Sequence, residues 1–507
     1  MDYSKFLKRV AASSNWNQPF LRISPELRWE DVADPIEQKI RALIEEFRVC
    51  SVTPQATFDF ERKLAELTME LARVTIEWTY NHLEEGRVAE LPVNVEFDGG
   101  LYTRVDRKTP QEVATLFGKI QLERLGYRST DRCGDPTIFP LAQTLGLIAG
   151  ATPALAERAA FYQAEAGATQ LRTLQRLWDD HQVKWGAKKL REVIDRVSTA
   201  MSEERHQSQV EKLLELLKTA SESTGSHKPV LSVGRDGVSL RVPVKGGKIS
   251  EIASVATITV IDRRGKRLGT VYLGRTPESK QGWMSDQLTR LIREALLKWN
   301  GPLPRLCYVT DSGDNETTYY DKTLRRMRHP RTKEKLHWTR VADYYHVSER
   351  VWTMAEAIFG EGPARVTWAN RMLRLLKKPN GVRRVLNSAS VLRARHGLSG
   401  KKLIDFNGAY NYLRERTRFM RYAAYKKVGI PLGSGVTEAA CKTVFTQRLK
   451  LSGMRWTKEG AQKIVNLRVL LLSGVWDKAF QRVLAKAITS KVPPYGILSP
   501  IPNKKAA

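Results

Sequence analysis

A change of hydrophobic period at Pro229 sets the limits on how this chain can fold. Beyond that residue, apolar side chains recur at every second position in PVLSVGRDGVSLRV, VATITVID and RLGTVYLG. Period two places alternate side chains on opposite faces of a sheet, so these segments predict three strands in an antiparallel meander, with Asp262 to Gly265 as one turn. The next segment, WMSDQLTRLIREALLKWN, has helical spacing and stops at Gly301 and Pro302. A short unbroken apolar run, LPRLCYVTDSG, then reads as a buried strand, and LHWTRVADYY reads as a strand running into the helix HVSERVWTMAEAIF. Residues 229–359 are therefore expected to form an α/β core, a mixed sheet with helices packed on its faces.

The chain before the switch reads differently. Residues 1–90 are expected to be helical, most clearly from Phe58 to Leu83, with Gly86 as the stop. Within 91–220, Val93 to Arg128 shows short alternating runs that predict a small sheet or hairpin turning at Asp98-Gly99-Gly100. Two short helical segments, PALAERAAFYQAEAG and ATQLRTLQRLWDDH, are broken at Gly167. That is the punctuation of a helix-turn-helix, in which Thr169, Gln170, Arg172, Thr173 and Arg176 would face a DNA groove; a plain helical hairpin fits the same pattern equally well. A further helix spans Lys188 to Leu217. The polar stretch SESTGSHKP (Ser221 to Pro229) is expected to be the main domain boundary.

Charge narrows the partners. The 507 residues carry 84 Lys and Arg against 54 Asp and Glu, a formal net charge of +30. Such an excess repels itself in a compact fold and is relieved by a polyanion, for which nucleic acid is the usual partner. The bias peaks in residues 360–428, where the pattern turns wholly helical and seventeen basic residues lie between Arg365 and Lys427, with Asp405 and Glu415 as the acids among them. Arg371, Arg374, Lys377, Lys378, Arg383 and Arg384 are the expected phosphate contacts. Aromatic residues interleave with these cations; such rings either stack on bases or fill the core. Cys50, Cys133, Cys307 and Cys441 are far apart and form no CxxC pair, which excludes a cysteine-rich zinc ribbon and suits reduced thiols. The N-terminal sequence lacks an apolar signal core, and no run approaches the roughly 18 apolar residues of a membrane span, so the expected location is the cytoplasm, at the nucleoid.

Cleaving a phosphodiester without a covalent intermediate needs an activated oxygen nucleophile and neutralisation of charge at phosphorus. Carboxylates holding divalent cations supply both. Three acids stand where such a core would gather them. Asp236 lies inside the first strand, in SVGRDGVSL, where an unpaired acid is costly; Asp-Gly is also a strong hairpin turn. Asp311 closes the strand RLCYVTDSG, or simply binds its own backbone in a turn. Glu438 follows Gly433-Ser434-Gly435 and opens a helix, where the helix dipole alone favours an acid. The order of strands and helices is that of an RNase H-like fold, and residues 429–507 supply the glutamate helix and C-terminal helices.

The block GSGVTEAACKTVFTQRLKLSGMRW (Gly433 to Trp456) closely resembles the segment around the catalytic glutamate in the ISKra family of bacterial insertion-sequence transposases, and GRDG, YVTDSGDN and ADYYHVSERVW occupy the places of that family's other blocks. The resemblance spans about residues 230 to 480. It implies an RNase H-like core of the DDE type, with Asp236, Asp311 and Glu438 catalytic and binding Mg²⁺ (Mn²⁺ as the alternative), and cleavage at transposon ends followed by strand transfer, by a homo-oligomer on double-stranded DNA. A catalytically inert DNA-binding descendant of a transposase is the competing expectation. Asp343 and His346 stand at a strand-to-helix junction, where Asp343 is a natural cap and His346 a candidate to position phosphate or water. On the glutamate helix, Lys442, Arg448, Lys450 and Arg455 are expected to meet DNA, although Lys442 is also placed to pair with Glu438.

Overall fold

The computed structural model describes residues 27–85, 91–97, 99–131, 134–244 and 247–488; Gly86, Asp98 and Cys133 lie outside them. Contacts divide the chain into two compact units, Met1–Met201 with Phe480–Ala507, and Ser202–Ala479.

In the first unit, helices α1 (Trp29–Val49) and α2 (Pro54–Glu85) bury Val32 and Ile36 against Val74 and Trp78. Arg73 is buried in α2 between Glu70 and Glu77, at 2.6 Å from each, which satisfies its charge where water does not reach. The expected small sheet is present as β1 (Asn94–Phe97), β2 (Gly100–Arg104) and β5 (Tyr127–Ser129), joined by a separate hairpin of β3 (Thr109–Thr115) and β4 (Gly118–Arg124). After a short helix α3 (Pro140–Thr144) come α4 (Pro153–Ala164) and α5 (Gln170–His181), broken as expected at Gly167, whose φ is +71°. Thr169 caps α5, its hydroxyl accepting from the Arg172 amide at 3.0 Å.

Of the side chains assigned to a groove, one is not available to it and a second, 38% exposed, is engaged by its neighbours. Thr173 is buried, and Arg176 bonds Glu165, approaches Asp180 at 3.8 Å and lies 3.6 Å over the Tyr162 ring. Arg176 braces α4 against α5; Gln170 and Arg172 remain exposed.

Helix α6 (Ala187–Glu222) is continuous, and its second half enters the core of the second unit through Val210, Leu213, Leu217 and Ala220. The 221–229 stretch, expected as a boundary, therefore lies inside that unit. It is a tight return onto the 262–265 turn: Ser223 Oγ accepts from the Arg263 amide at 3.1 Å, and a Cβ on Gly225 would lie 2.3 Å from the Arg263 carbonyl oxygen.

The second unit is built on a five-stranded mixed sheet of order β10-β9-β6-β7-β8. Strands β6 (Val230–Val244), β7 (Gly247–Ile261) and β8 (Arg267–Arg275) form the antiparallel meander, turning where Asp262 Oδ1 accepts from the amides of Arg264 and Lys266. After α7 (Gly282–Lys298), β9 (Arg305–Thr310) runs parallel to β6, and after α8 (Asp314–Lys322), β10 (Trp338–Ala342) runs parallel to β9. Alternation splits the core in two. Leu306 and Tyr308 face α6 and α7, whereas Cys307 and Val309 face α9 (Tyr344–Phe359) and the helical segment α10 (Pro363–Leu376), α11 (Gly381–Arg395), α12 (Gly400–Arg416) and α13 (Tyr422–Lys427). The aromatic residues of that segment belong to this core: Trp368, Phe406, Tyr422 and Tyr425 are buried, and Tyr410, Tyr412 and Phe419 pack against them.

The same sheet face is covered over β6–β8 by α14 (Gly435–Ala440), a π-helical turn (Cys441–Thr446) and α15 (Lys458–Leu472). Gly234 permits this approach: a Cβ there would lie 2.0 Å from Thr437 Oγ1 and 3.1 Å from Thr257 Oγ1, two hydroxyls that bond each other at 2.7 Å. Gly234→Ala is expected to cost about 1–3 kcal/mol as an overpacked site, read as a lower urea midpoint. Adding Thr437→Ala should recover part of that loss.

Candidate functional site

The three predicted acids come from three elements that meet on one face of the sheet. Asp236 is not a turn residue; it sits within the continuous strand β6 opposite Val255, on the same face as Gly234 and hence toward α14. Its Oδ1 accepts from the Gly237 amide at 2.7 Å and its Oδ2 from the Cys441 thiol at 3.3 Å. Asp311 follows the last residue of β9. Its Oδ1 accepts from the Gly313 amide at 3.1 Å, and its carbonyl accepts from the Tyr412 hydroxyl at 2.6 Å. Glu438 stands in the first turn of α14, with Oε1 3.2 Å from the Ser434 hydroxyl and 3.6 Å from His346 Nε2.

The electrostatics tie these groups together. Burial raises the Asp236 pKa, and the charge of Asp311 raises it further against the opposing effects of the Gly237 amide, the Cys441 thiol and His346. Burial and then Asp343 raise that of Glu438. The Cys441 thiol is pushed well above its ordinary value by burial and by Asp236, Glu438 and Asp311 together, so a single sulfur registers all three predicted acids.

Asp343 is the cap that its position suggested and also a strut. It is fully buried; Oδ1 accepts from the Tyr345 amide at 2.6 Å, and Oδ2 accepts from the Ser434 amide at 2.7 Å and from the Ser434 hydroxyl. The acid that starts α9 thus fixes the loop that starts α14. Asp343, His346 and Glu438 offer ligand atoms within 4.8 Å of one another. His346 also lies 3.2 Å from Glu349 through Nδ1. Burial works against its imidazolium, but Asp343, Glu349 and Glu438 outweigh it and raise its pKa.

Several members of the site carry no signal that spacing alone discloses. Glu316, in the first turn of α8, is buried, and its pKa is raised by burial and by Asp311 and Asp236, which adds a further carboxyl beside those two acids. Ser312 holds a left-handed φ of +68° directly after Asp311, a strained conformation for a non-glycine residue of the kind that gathers at functional sites. Tyr412 and Arg416, from the basic helix α12, hold the backbone of this turn at Asp311 and Ser312. The π-helical turn that carries Cys441 is a rare feature with the same tendency.

The basic residues divide. Arg371, Arg374, Lys377, Lys378, Arg383 and Arg384 are exposed on α10, the loop after it and α11. Lys442, Lys450 and Arg455 are exposed as well, and Lys442 makes no ion pair with Glu438 among the described residues. Arg448 is different. It is 0% exposed and lies 5.0 Å over the Trp456 ring, with a pKa lowered to about 10 by burial and by Arg468. A buried guanidinium is out of reach of a phosphate backbone, so the expectation that Arg448 meets DNA is corrected to a packing role.

Among the described residues the ligand atoms within 4.8 Å of one another are those of Asp343, His346 and Glu438; Asp236 and Asp311 stand outside that cluster. Burial is the first cause of the raised carboxyl pKa values at Asp236 and Glu438, and the negative charges of Asp311 and Asp343 add to it. Asp236, Asp311 and Glu438 supply the hard oxygens that Mg²⁺ prefers, and His346 adds a nitrogen that suits Mn²⁺ better.

The titrations have a defined direction. Asp236, Glu316, Glu438 and His346 all have raised pKa values in the folded chain, so the native state keeps protons that the unfolded chain releases. The stability they contribute is complete below the unfolded values and is lost as pH rises through the folded ones. The thermal midpoint is expected to fall between pH 5 and pH 8 by less in Glu438→Gln than in the wild type. Added Mn²⁺ should raise the wild-type midpoint more at pH 8 than at pH 5.

No protein-family model matches the chain, and no curated protein matches it. Among the described residues, no helix is long and apolar enough to cross a membrane.

Proposed function

We propose that this chain is a DNA transposase of the DDE type, cutting at transposon ends and transferring the freed strands into target DNA. The observation that carries the reading is that Asp236, Asp311 and Glu438, from a strand interior, a strand end and a helix start, all act on one half-buried thiol, Cys441, which Asp236 also bonds. Two features support it. An antiparallel meander followed by two parallel strands, in the order β10-β9-β6-β7-β8, is what an RNase H-like core requires. The basic helices α10–α13 are inserted between β10 and the glutamate helix, and α12 buttresses the turn that carries Asp311.

Asp236, Asp311 and Glu438 are the residues that would hold two divalent cations. When bound, such ions activate an attacking water or 3′-hydroxyl and neutralise charge at phosphorus. The rest of the chemistry belongs to the chain. Asp343 sets the position of Glu438 through Ser434, and Tyr412 sets that of Asp311 through its carbonyl. His346, with its proton on Nε2, presents a donor beside Glu438 for a phosphate oxygen.

The test is a strand-transfer assay on duplexes carrying the element's own terminal sequences, with Mg²⁺ and a plasmid target. Nicked ends and joined products are expected. Hydrolysis without joining would make the chain a nuclease, and tight end binding without any cleavage in Mg²⁺ or Mn²⁺ would make it an inert DNA-binding protein.

A further inference from the structure

Beyond the acid cluster, the same face of β6 leads into a cavity of about 630 Å³ between the far half of that strand and the 449–458 segment. Leu240, which lines it, shares a strand face with Gly234 and Asp236, four residues or about 13 Å along from Asp236. Its chemistry is one-sided. Arg241, Lys450, Arg455 and Lys458 line it, and no carboxylate does among the described residues. Lys458 is paired with Glu251 at 2.5 Å, whereas Arg241, Lys450 and Arg455 make no ion pair among the described residues. The wall also holds Trp456, whose indole Nε1 is buried without a hydrogen-bond partner among the described residues. What the cavity offers a ligand is the face of this ring beside cations unpaired among the described residues.

The required ligand is flat enough to lie against an indole, carries acceptors, and is anionic. A nucleotide has all three properties, and the volume is that of a small-molecule site. A duplex does not fit such a cavity, because its bases are stacked and paired. We propose that this cavity takes one unpaired nucleotide of the DNA strand that passes the acid cluster, with the base against Trp456 and its phosphate on Lys450 and Arg455. The assignment rests on DNA being the substrate. It gives the 449–458 segment a specific task, holding a strand end or a displaced base about 13 Å from Asp236. Arg448, behind the Trp456 ring, fixes the platform rather than the ligand.

The test uses the full chain without metal, so that binding is read apart from cleavage. Two duplexes are compared, one blunt and one ending in a single unpaired 2-aminopurine nucleotide, with free AMP as a separate competitor. Wild-type protein is expected to quench the 2-aminopurine and to bind the overhanging duplex at least about fivefold more tightly than the blunt one, as one base on an aromatic ring allows. Trp456→Leu should abolish both the quenching and the preference, Trp456→Phe should keep them, and Lys450→Ala with Arg455→Ala should reduce the preference. Equal affinity for the two duplexes, without quenching, would overturn the cavity assignment while leaving DNA binding intact. Binding of AMP without binding of either duplex would overturn both the assignment and the DNA reading, making this a free-nucleotide site.

Discussion

Asp311→Asn is expected to lower DNA cleavage and strand transfer by about a thousandfold or more while leaving end binding nearly unchanged. The substitution keeps size and shape. Asn can still accept the Gly313 amide through its carbonyl oxygen, so the turn after β9 should hold, and the Tyr412 bond goes to the backbone and is untouched. What is removed is an anionic oxygen at the point where divalent charge must be held. It also relieves Asp236, whose pKa should fall toward the ordinary carboxylate range once its negative neighbour is neutral. Affinity for DNA should if anything rise, since one repulsion of phosphate is lost. Glu438→Gln should behave alike, and the double variant should be little worse than either single one, because groups acting as one unit are not additive. Binding and transfer measured on the same preparation, with Mg²⁺ and with chelator, check this. Near-normal transfer by Asp311→Asn would remove Asp311 from the catalytic set.

Asp343 is the natural comparison because it lies beside Glu438 and is an acid of the same group. Its oxygens are already engaged by two amides and a hydroxyl. Its removal would act through structure, loosening the start of α9 and the loop before α14 together. A lower unfolding midpoint, with activity per folded molecule reduced far less than in Asp311→Asn because Glu438 is displaced rather than removed, is the signature that separates it from Asp311.

These contrasts show where the sequence was legible. Period-two alternation exposed β6, β7 and β8, and the unbroken run ending in Thr310 exposed β9, because a buried strand has to be apolar where it is covered on both faces. Asp236-Gly237 read equally as a turn or a strand interior, since the dipeptide signal is local and the fifteen-residue pairing with β7 is not. Arg448 and Arg176 read as surface cations because charge is normally exposed. Asp180 stands at i,i+4 from Arg176 and was within reach of helical spacing. Glu165, however, comes from before the Gly167 break and the indole over Arg448 from beyond its helix, where spacing gives no guide. Glu316, Tyr412 and Cys441 were invisible for the same reason. Each becomes part of the site through a contact or charge from a distant element: Asp311 and Asp236 for Glu316, the 311–312 turn for Tyr412, and β6 for Cys441.

The second large effect is expected on the basic helices. Replacing Arg371, Arg374, Lys377, Lys378, Arg383 and Arg384 by Ala should weaken DNA binding about a hundredfold near physiological salt, at all sequences alike. These side chains are exposed, and none makes an ion pair among the described residues; Lys377 alone lies over a ring, 4.4 Å from that of Tyr344. The inward faces of the same helices carry Trp368, Met372, Leu376, Val382 and Val385, which the substitutions leave in place, so the fold should persist. Removing six like charges from one region should even raise the thermal midpoint slightly. The decisive reading is the salt dependence, because each phosphate contact releases condensed counterions and adds about 0.9 to the slope of log K against log salt. The sixfold variant should show a slope shallower by about 0.9 for every one of the six that touches phosphate. Arg172→Ala, on the exposed side of α5, should instead reduce discrimination between transposon ends and random DNA if that helix reads a groove, with a slope changed by less than one contact. An unchanged slope in the sixfold variant would make the basic faces of α10 and α11 mere solvated surface. It would leave α12, through Tyr412 and Arg416, as the part of the insertion tied to the chemistry.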